Sequence, residues 1–168
     1  MRLTKLHISA AAIGLVLASG AHAQMGGGMM PSSEPAPQVD ATVPYQNGVA
    51  ALQAGDYAKA IRELRAARDA NSGDGAIPYT LGLAYAASGK KKEAKQAFQG
   101  AVRTRNAPIP AYLQLGLVAL ELGERDLATK QYAVLEKKLA GCDTRCGDET
   151  RAEIKSAMDQ LGQKLGTP

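Results

Sequence analysis

The chain resembles itself when it is shifted by 34 residues, and this internal repeat constrains the fold more than any other feature of its 168 residues. Four positions keep their residue type or size through three consecutive copies. They are Gly48, Gly82 and Gly116; Gly55, Gly89 and Gly123; Ala60, Ala94 and Ala128; and the large side chains Leu64, Phe98 and Tyr132. A fixed period of this length predicts a stack of similar supersecondary units.

Each copy is predicted to fold as two helices joined by a tight turn. The first helices are expected near 43–53, 76–88 and 110–122, and the second near 57–70, 91–104 and 125–140. The second glycine of each copy directly follows the first helix. Helices often end with a residue in the left-handed conformation, and glycine adopts that conformation at the least cost. Asp56 is placed to cap the helix that follows.

The first glycine of each copy falls in mid-helix, where glycine costs about 1 kcal/mol relative to alanine. This cost indicates that the helix approaches its partner closely at that point. Ala60, Ala94 and Ala128 are expected to face the glycines, and Leu64, Phe98 and Tyr132 to fill the space beside them.

With this spacing the chain resembles the tetratricopeptide repeat family over residues 41 to 142. The second copy matches the family signature best, with Leu81, Gly82, Tyr85, Gly89, Ala94, Phe98 and Ala101. The resemblance implies an all-α, right-handed solenoid of three units, 41–74, 75–108 and 109–142. Two units depart from the family because Pro44 and Pro78 replace its first-helix aromatic residue, whereas the third has Tyr112.

A final helix is predicted between Asp148 and Leu165. Its apolar residues recur at helical spacing, as Ile154, Ala157, Met158, Leu161 and Leu165. Because the last unit of a repeat stack must cover its open face, we expect residues 147–165 to form a capping helix. A membrane-surface helix is disfavoured, since the polar positions mix acidic and basic residues.

The first 23 residues have the layout of a signal peptide. Arg2 and Lys5 precede a 13-residue apolar run, too short to span a bilayer, and small residues follow it. Cleavage is expected after Ala23, which leaves Gln24 as the first residue. The sequence therefore predicts export to the periplasm, without stable membrane insertion of the mature chain.

The mature chain lacks the usual means of catalysis and of nucleic-acid binding. Both histidines, His7 and His22, leave with the signal peptide, and the sequence shows no nucleophile with a neighbouring base, no phosphate loop and no metal-ligand cluster. The remaining net charge is about +2 and scattered, whereas nucleic-acid binding needs a clustered basic face. We predict no enzyme activity and no cofactor.

Residues 24–42 are predicted to form a disordered linker, because they are rich in glycine, proline and serine. Methionines 25, 29 and 30 are soft ligands that suit copper(I), but no histidine or cysteine lies nearby to complete a site. The preferred interpretation is a leader without a metal.

The two cysteines, Cys142 and Cys146, lie between the last repeat and the final helix. In an exported protein such a pair favours a structural disulfide. A redox-active pair is the alternative, but it normally has two intervening residues and a thioredoxin-like context.

The resemblance implies that the first helices line a concave surface that binds partners. The family's groove positions correspond here to Tyr45, Val49, Leu52, Tyr79, Leu83, Ala86, Leu113, Leu117 and Leu120, which we call the first-helix stripe. The stripe is apolar and lacks the polar residues with which one subfamily clamps carboxylates.

We therefore predict a periplasmic scaffold or adaptor that binds an apolar or amphipathic segment of another envelope protein. There are three alternatives for the groove. The protein's own tail could occupy it, a second copy of the chain could occupy it, or part of the stripe could be buried in the core. A structural or self-associating envelope protein and a metal or redox accessory factor are the other functions considered.

Overall fold

The structure is a computed structural model, and it describes residues 40–142 and 146–166. All regular elements in these two ranges are α-helices. They are α1 (Thr42–Gln53), α2 (Tyr57–Ala70), α3 (Ala76–Ala87), α4 (Lys91–Val102), α5 (Ile109–Glu121), α6 (Arg125–Ala140) and α7 (Asp148–Leu165). The predicted all-α repeat architecture with a C-terminal helix is confirmed.

The turns inside the three helix pairs share one geometry. Gly55, Gly89 and Gly123 have φ of 76°, 77° and 77°, which is the left-handed region. The next residue donates its amide to a carbonyl five residues back, as in Asp56 to Ala51 at 2.9 Å, and equivalent bonds occur in the other two units. The Asp56 carboxylate also accepts from the Lys59 amide at 3.0 Å, so it caps α2.

The helices stack in sequence order. Pairs α1–α2, α3–α4 and α5–α6 pack along their lengths, and α2 and α4 each pack on the first helix of the following unit. Three apolar clusters form the core between them. The alanines Ala60, Ala94 and Ala128 are fully buried, as are the neighbouring Leu64 and Phe98.

Five helix boundaries differ from the sequence predictions by one or two residues, and two of them have a clear local cause. Thr42 begins α1, although it was expected in the linker, and its amide bonds to the Asp40 carboxylate at 2.8 Å. Helix α4 ends at Val102 instead of residue 104, because the Arg103 and Thr104 amides bond to carbonyls only three residues back. The chain therefore tightens into a turn before α5.

Candidate partner-binding groove

The mid-helix glycines of the first two units allow close helix approach. A methyl group built on Gly48 would lie 2.6 Å from Cγ of Leu64, and one on Gly82 would lie 2.5 Å from Cδ1 of the Phe98 ring. Any side chain at these positions would have to displace a buried neighbour. The glycines thus set the spacing between first and second helices, on which the position of the first-helix stripe depends.

The third unit departs from this pattern. A methyl group on Gly116 would meet Leu161 of α7, at 2.7 Å from Cδ2, instead of Tyr132 of α6. The expectation that Tyr132 fills the space beside Gly116 is wrong, because α7 inserts a fully buried leucine there. Tyr132 lies partly exposed at the border of the same cluster.

Helix α7 packs differently from the first helix of a further repeat. Helix α3 lies mainly on α2 and contacts α1 at few points, whereas α7 packs on α5 and α6 to similar extents. Helix α7 runs antiparallel to α6. The end of α7 contacts the start of α6, and the start of α7 contacts the end of α6. Arg125 donates to the Leu165 carbonyl, and Arg151 donates to the Cys142 carbonyl at 3.1 Å.

The disulfide between Cys142 and Cys146 spans the connection from α6 to α7, with Cα atoms 5.0 Å apart. The start of α7 is therefore held near the end of α6 by a covalent link and by the Arg151 hydrogen bond.

The first-helix stripe is divided by α7. Leu113 of α5 is only 7% exposed and belongs to one apolar cluster with Ile154 and Leu161 of α7, so its assignment to an open groove is corrected to the core. Leu117 and Leu120 pack against the same cluster. The protein's own C-terminal helix thus helps to bury Leu113, whereas Leu117 and Leu120 stay half-buried.

The remaining stripe residues, on α1 and α3, stay half-buried: Tyr45, Val49, Leu52, Tyr79, Leu83 and Ala86. All except Val49 rest on the apolar clusters of their units. They form a supported apolar surface that retains contact with solvent.

Two tyrosines of this surface are held by specific contacts. The Tyr45 hydroxyl lies 3.3 Å from Oγ1 of Thr80, and because that hydroxyl already donates to the Ala76 carbonyl, Tyr45 is the donor. The Tyr79 ring packs at a tilt against Phe98, with centroids 6.0 Å apart. Burial, and secondly the charge of Glu153 on α7, raise the pKa of Tyr79 above its usual value.

Thr80 was not identified from the sequence. It is a buried polar residue that joins Tyr45 of unit one to α3 of unit two, and the other two units carry glutamine at its position, as Gln46 and Gln114. Only the neighbouring unit's contact reveals its role.

Several predicted features are untested or absent within the described residues. The cleavage site at Ala23 and Gln24, the signal peptide and the methionines of the leader lie outside them. Among residues 40–142 and 146–166, no group of histidine, cysteine or carboxylate side chains is arranged to hold a metal ion. No helix in these ranges combines the length and apolar character needed to cross a membrane.

Comparison with known proteins agrees with this architecture. A family model described as tetratricopeptide repeat matches residues 51–117. The crystal structure of the Sgt2 TPR domain from Aspergillus fumigatus resembles the chain with a TM-score of 0.58 at 21% identity, over 77% of this chain and 82% of that one. No curated protein matches the sequence.

At 21% identity the structural likeness concerns the fold alone, and that fold is in general a scaffold for protein–protein interaction. The family match over residues 51–117, the three helix pairs and the 34-residue spacing of their glycines make the chain similar to tetratricopeptide repeat proteins, and its described residues have that helical-repeat fold.

Proposed function

We propose that the chain is an exported, periplasmic scaffold whose α1 and α3 bind an amphipathic helix of another envelope protein. The observation that carries this proposal is the packing of α7. In the third unit an amphipathic helix packs on the stripe at Leu113, which is buried, whereas the equivalent Tyr45 and Tyr79 of the first two units stay half-buried among the described residues.

The chemistry of the open stripe supports an apolar ligand face. The six residues on α1 and α3 carry no charge, and their only polar atoms are the two tyrosine hydroxyls. Completing the burial of a half-exposed leucine or valine contributes about 1 kcal/mol. A helix with apolar residues at i, i+3, i+4 and i+7 would bury several of these side chains at once, as α7 does on α5.

Site-specific photo-crosslinking tests the proposal. A photoreactive amino acid at Leu83 should give adducts in intact cells, and the adducted partner peptide should show a helical apolar period. Tyr57, which is 37% exposed at the start of α2, provides a control outside the stripe. Equal adduct formation from both positions would contradict the proposal, and an adduct with a second copy of the chain would instead identify self-association.

A matched pair of variants separates binding from folding. Leu83→Asp should abolish capture of the crosslinked partner, because a charge would enter the apolar contact. Tyr57→Asp should not, since an acid is tolerated in the first turn of a helix. If Leu83→Asp lowers the melting temperature instead of the affinity, Leu83 belongs to the core.

Export is tested separately. Cell fractionation should place the protein in the periplasm, and N-terminal sequencing should find Gln24 as its first residue. Protein retained in the cytoplasm with Met1 intact would refute this part of the proposal.

A further inference from the structure

Charge is distributed unevenly between the first and second helices of the units. The second helices α2, α4 and α6, with Arg103 and Arg105 just after α4, carry 13 basic and 5 acidic side chains. All other described residues together carry 4 basic and 9 acidic side chains, and the first helices α1, α3 and α5 have no basic residue. The charge is therefore scattered along the sequence, as expected, but the fold gathers the basic part of it on the second helices.

The centre of this surface is a continuous band of basic side chains. Three of them recur every third residue on α2, so they lie on one side of that helix. Arg68 and Arg103 line one cleft between the helices, and Arg103 lines the next cleft together with Lys130 of α6. We call the band the basic face, and it consists of Arg62, Arg65, Arg68, Arg103, Arg105 and Lys130.

Few charges of the basic face are neutralised within the molecule. Arg62 pairs with Glu63 at 3.1 Å and Arg68 pairs with Asp69 at 2.9 Å, but both arginines stay exposed, and such pairs contribute little. The other four members make no ion pair with a described residue. Glu93 also lines the first cleft, where two arginines outnumber it. The basic face therefore presents uncompensated positive charge to the solvent.

The extent of the basic face favours an anionic surface over a small anion. Helices α2 and α4 both pack on α3, and α4 and α6 both pack on α5. Because packed helices lie about 8–10 Å apart, the face extends over roughly 20 Å. Each cleft in it is open and holds only two or three of the six basic residues. A small anion would contact one such group, whereas a layer of phosphate groups would contact all of them.

We infer that the basic face binds the surface of a membrane that contains anionic phospholipids. Its guanidinium groups suit this task because they bind phosphate in a bidentate geometry. Each basic residue close to such a surface strengthens binding by a factor of about five. The choice of a lipid surface over a nucleic acid rests on the proposed export, which brings the chain next to lipid headgroups. The first-helix stripe contributes no residue to this contact.

Sedimentation with lipid vesicles tests the inference on the full mature chain. One set of vesicles contains equal amounts of phosphatidylglycerol and phosphatidylcholine, and the control set contains phosphatidylcholine alone. The chain should bind the anionic vesicles at least tenfold more tightly than the control vesicles. This binding should weaken as the salt concentration rises, because salt screens exposed charges. Equal binding to both sets, or binding that does not change with salt, would overturn the inference.

A matched pair of double variants locates the contact. Arg103→Glu combined with Arg105→Glu should weaken binding to the anionic vesicles at least tenfold. Lys155→Glu combined with Lys164→Glu changes the net charge equally, at exposed positions of α7 outside the basic face, and should leave binding within threefold. All four side chains are exposed, so the melting temperature should stay the same. Equal losses in the two double variants would show an effect of net charge alone and would overturn the inference.

A second double variant tests how far the face extends. Arg65→Glu on α2 combined with Lys130→Glu on α6 should weaken vesicle binding as much as the change at Arg103 and Arg105, and undiminished binding would contradict a face that spans three helices. A single-stranded DNA oligonucleotide provides a competing phosphate source. If it binds more tightly than the vesicles at equal phosphate concentration, the face is a nucleic-acid site and the inference fails.

The groove and the basic face are tested independently. The groove variant Leu83→Asp should bind anionic vesicles like the parent chain, and the double variant at Arg103 and Arg105 should still capture the crosslinked partner of the groove. Failure of the groove proposal and failure of this inference are therefore distinguishable.

Discussion

The contact between Gly82 and Phe98 gives the sharpest quantitative test of the repeat architecture. Replacing Gly82 by alanine adds one methyl group to the middle of α3. That methyl would lie 2.5 Å from Cδ1 of Phe98 and closer still to Cε1, below any ordinary carbon contact. Phe98 is fully buried, and its ring also packs on Tyr79, so it has little room to withdraw.

Two effects of opposite sign determine the result. Alanine in place of glycine favours the helix by about 1 kcal/mol, because the unfolded chain loses less entropy. Overpacking of a buried contact costs about 1–3 kcal/mol. With a ring as the obstacle we take the upper part of that range, so Gly82→Ala should destabilise the protein by about 1–2 kcal/mol.

Gly100→Ala is the matched control, because Gly100 also lies inside a helix, but a methyl group there would meet only Cβ of Pro78 at an ordinary 3.7 Å. Because alanine favours the helix more than glycine does, this variant should stabilise the protein by up to about 1 kcal/mol. Urea unfolding followed by circular dichroism measures both changes. If Gly82→Ala is as stabilising as Gly100→Ala, the helices are farther apart than the structure shows and the reasoning about the glycine spacing fails.

Three further changes test the turns and connections. Gly89→Ala puts a side chain at φ 77° and should cost about 1–2 kcal/mol by urea unfolding; a neutral result would contradict the left-handed turn. Replacing Cys142 and Cys146 by serine should cost about 2 kcal/mol or less, with hydrogen exchange rising first in α7; exchange rising first in α1 would oppose the bracing role. Lys95→Ala removes the 2.5 Å ion pair with Glu124 and should lower the free energy of unfolding by less than about 1 kcal/mol. This cost should become smaller in high salt, which screens the ion pair; a cost that does not change with salt would indicate that Lys95 stabilises the protein by packing instead.

The sequence predicted the helix pairs well because their turns depend on local backbone requirements. A left-handed residue after each first helix needs glycine, and that requirement leaves a residue type that is visible at Gly55, Gly89 and Gly123. The final helix was also predictable, since its apolar period is long and regular. Helix boundaries were less predictable. The end of α4, for example, depends on a switch to hydrogen bonds between residues three apart, which no residue type specifies.

The groove was only partly predictable, for a physical reason. Periodic alignment assigns equal surroundings to equal positions, and therefore placed Tyr132 beside Gly116 and Leu113 in an open stripe. The surroundings of the third unit are set by α7, a helix outside the repeat. Its apolar face has a common pattern that does not specify where the helix docks, so the competition between Leu161 and Tyr132 for one space could not be read from the sequence.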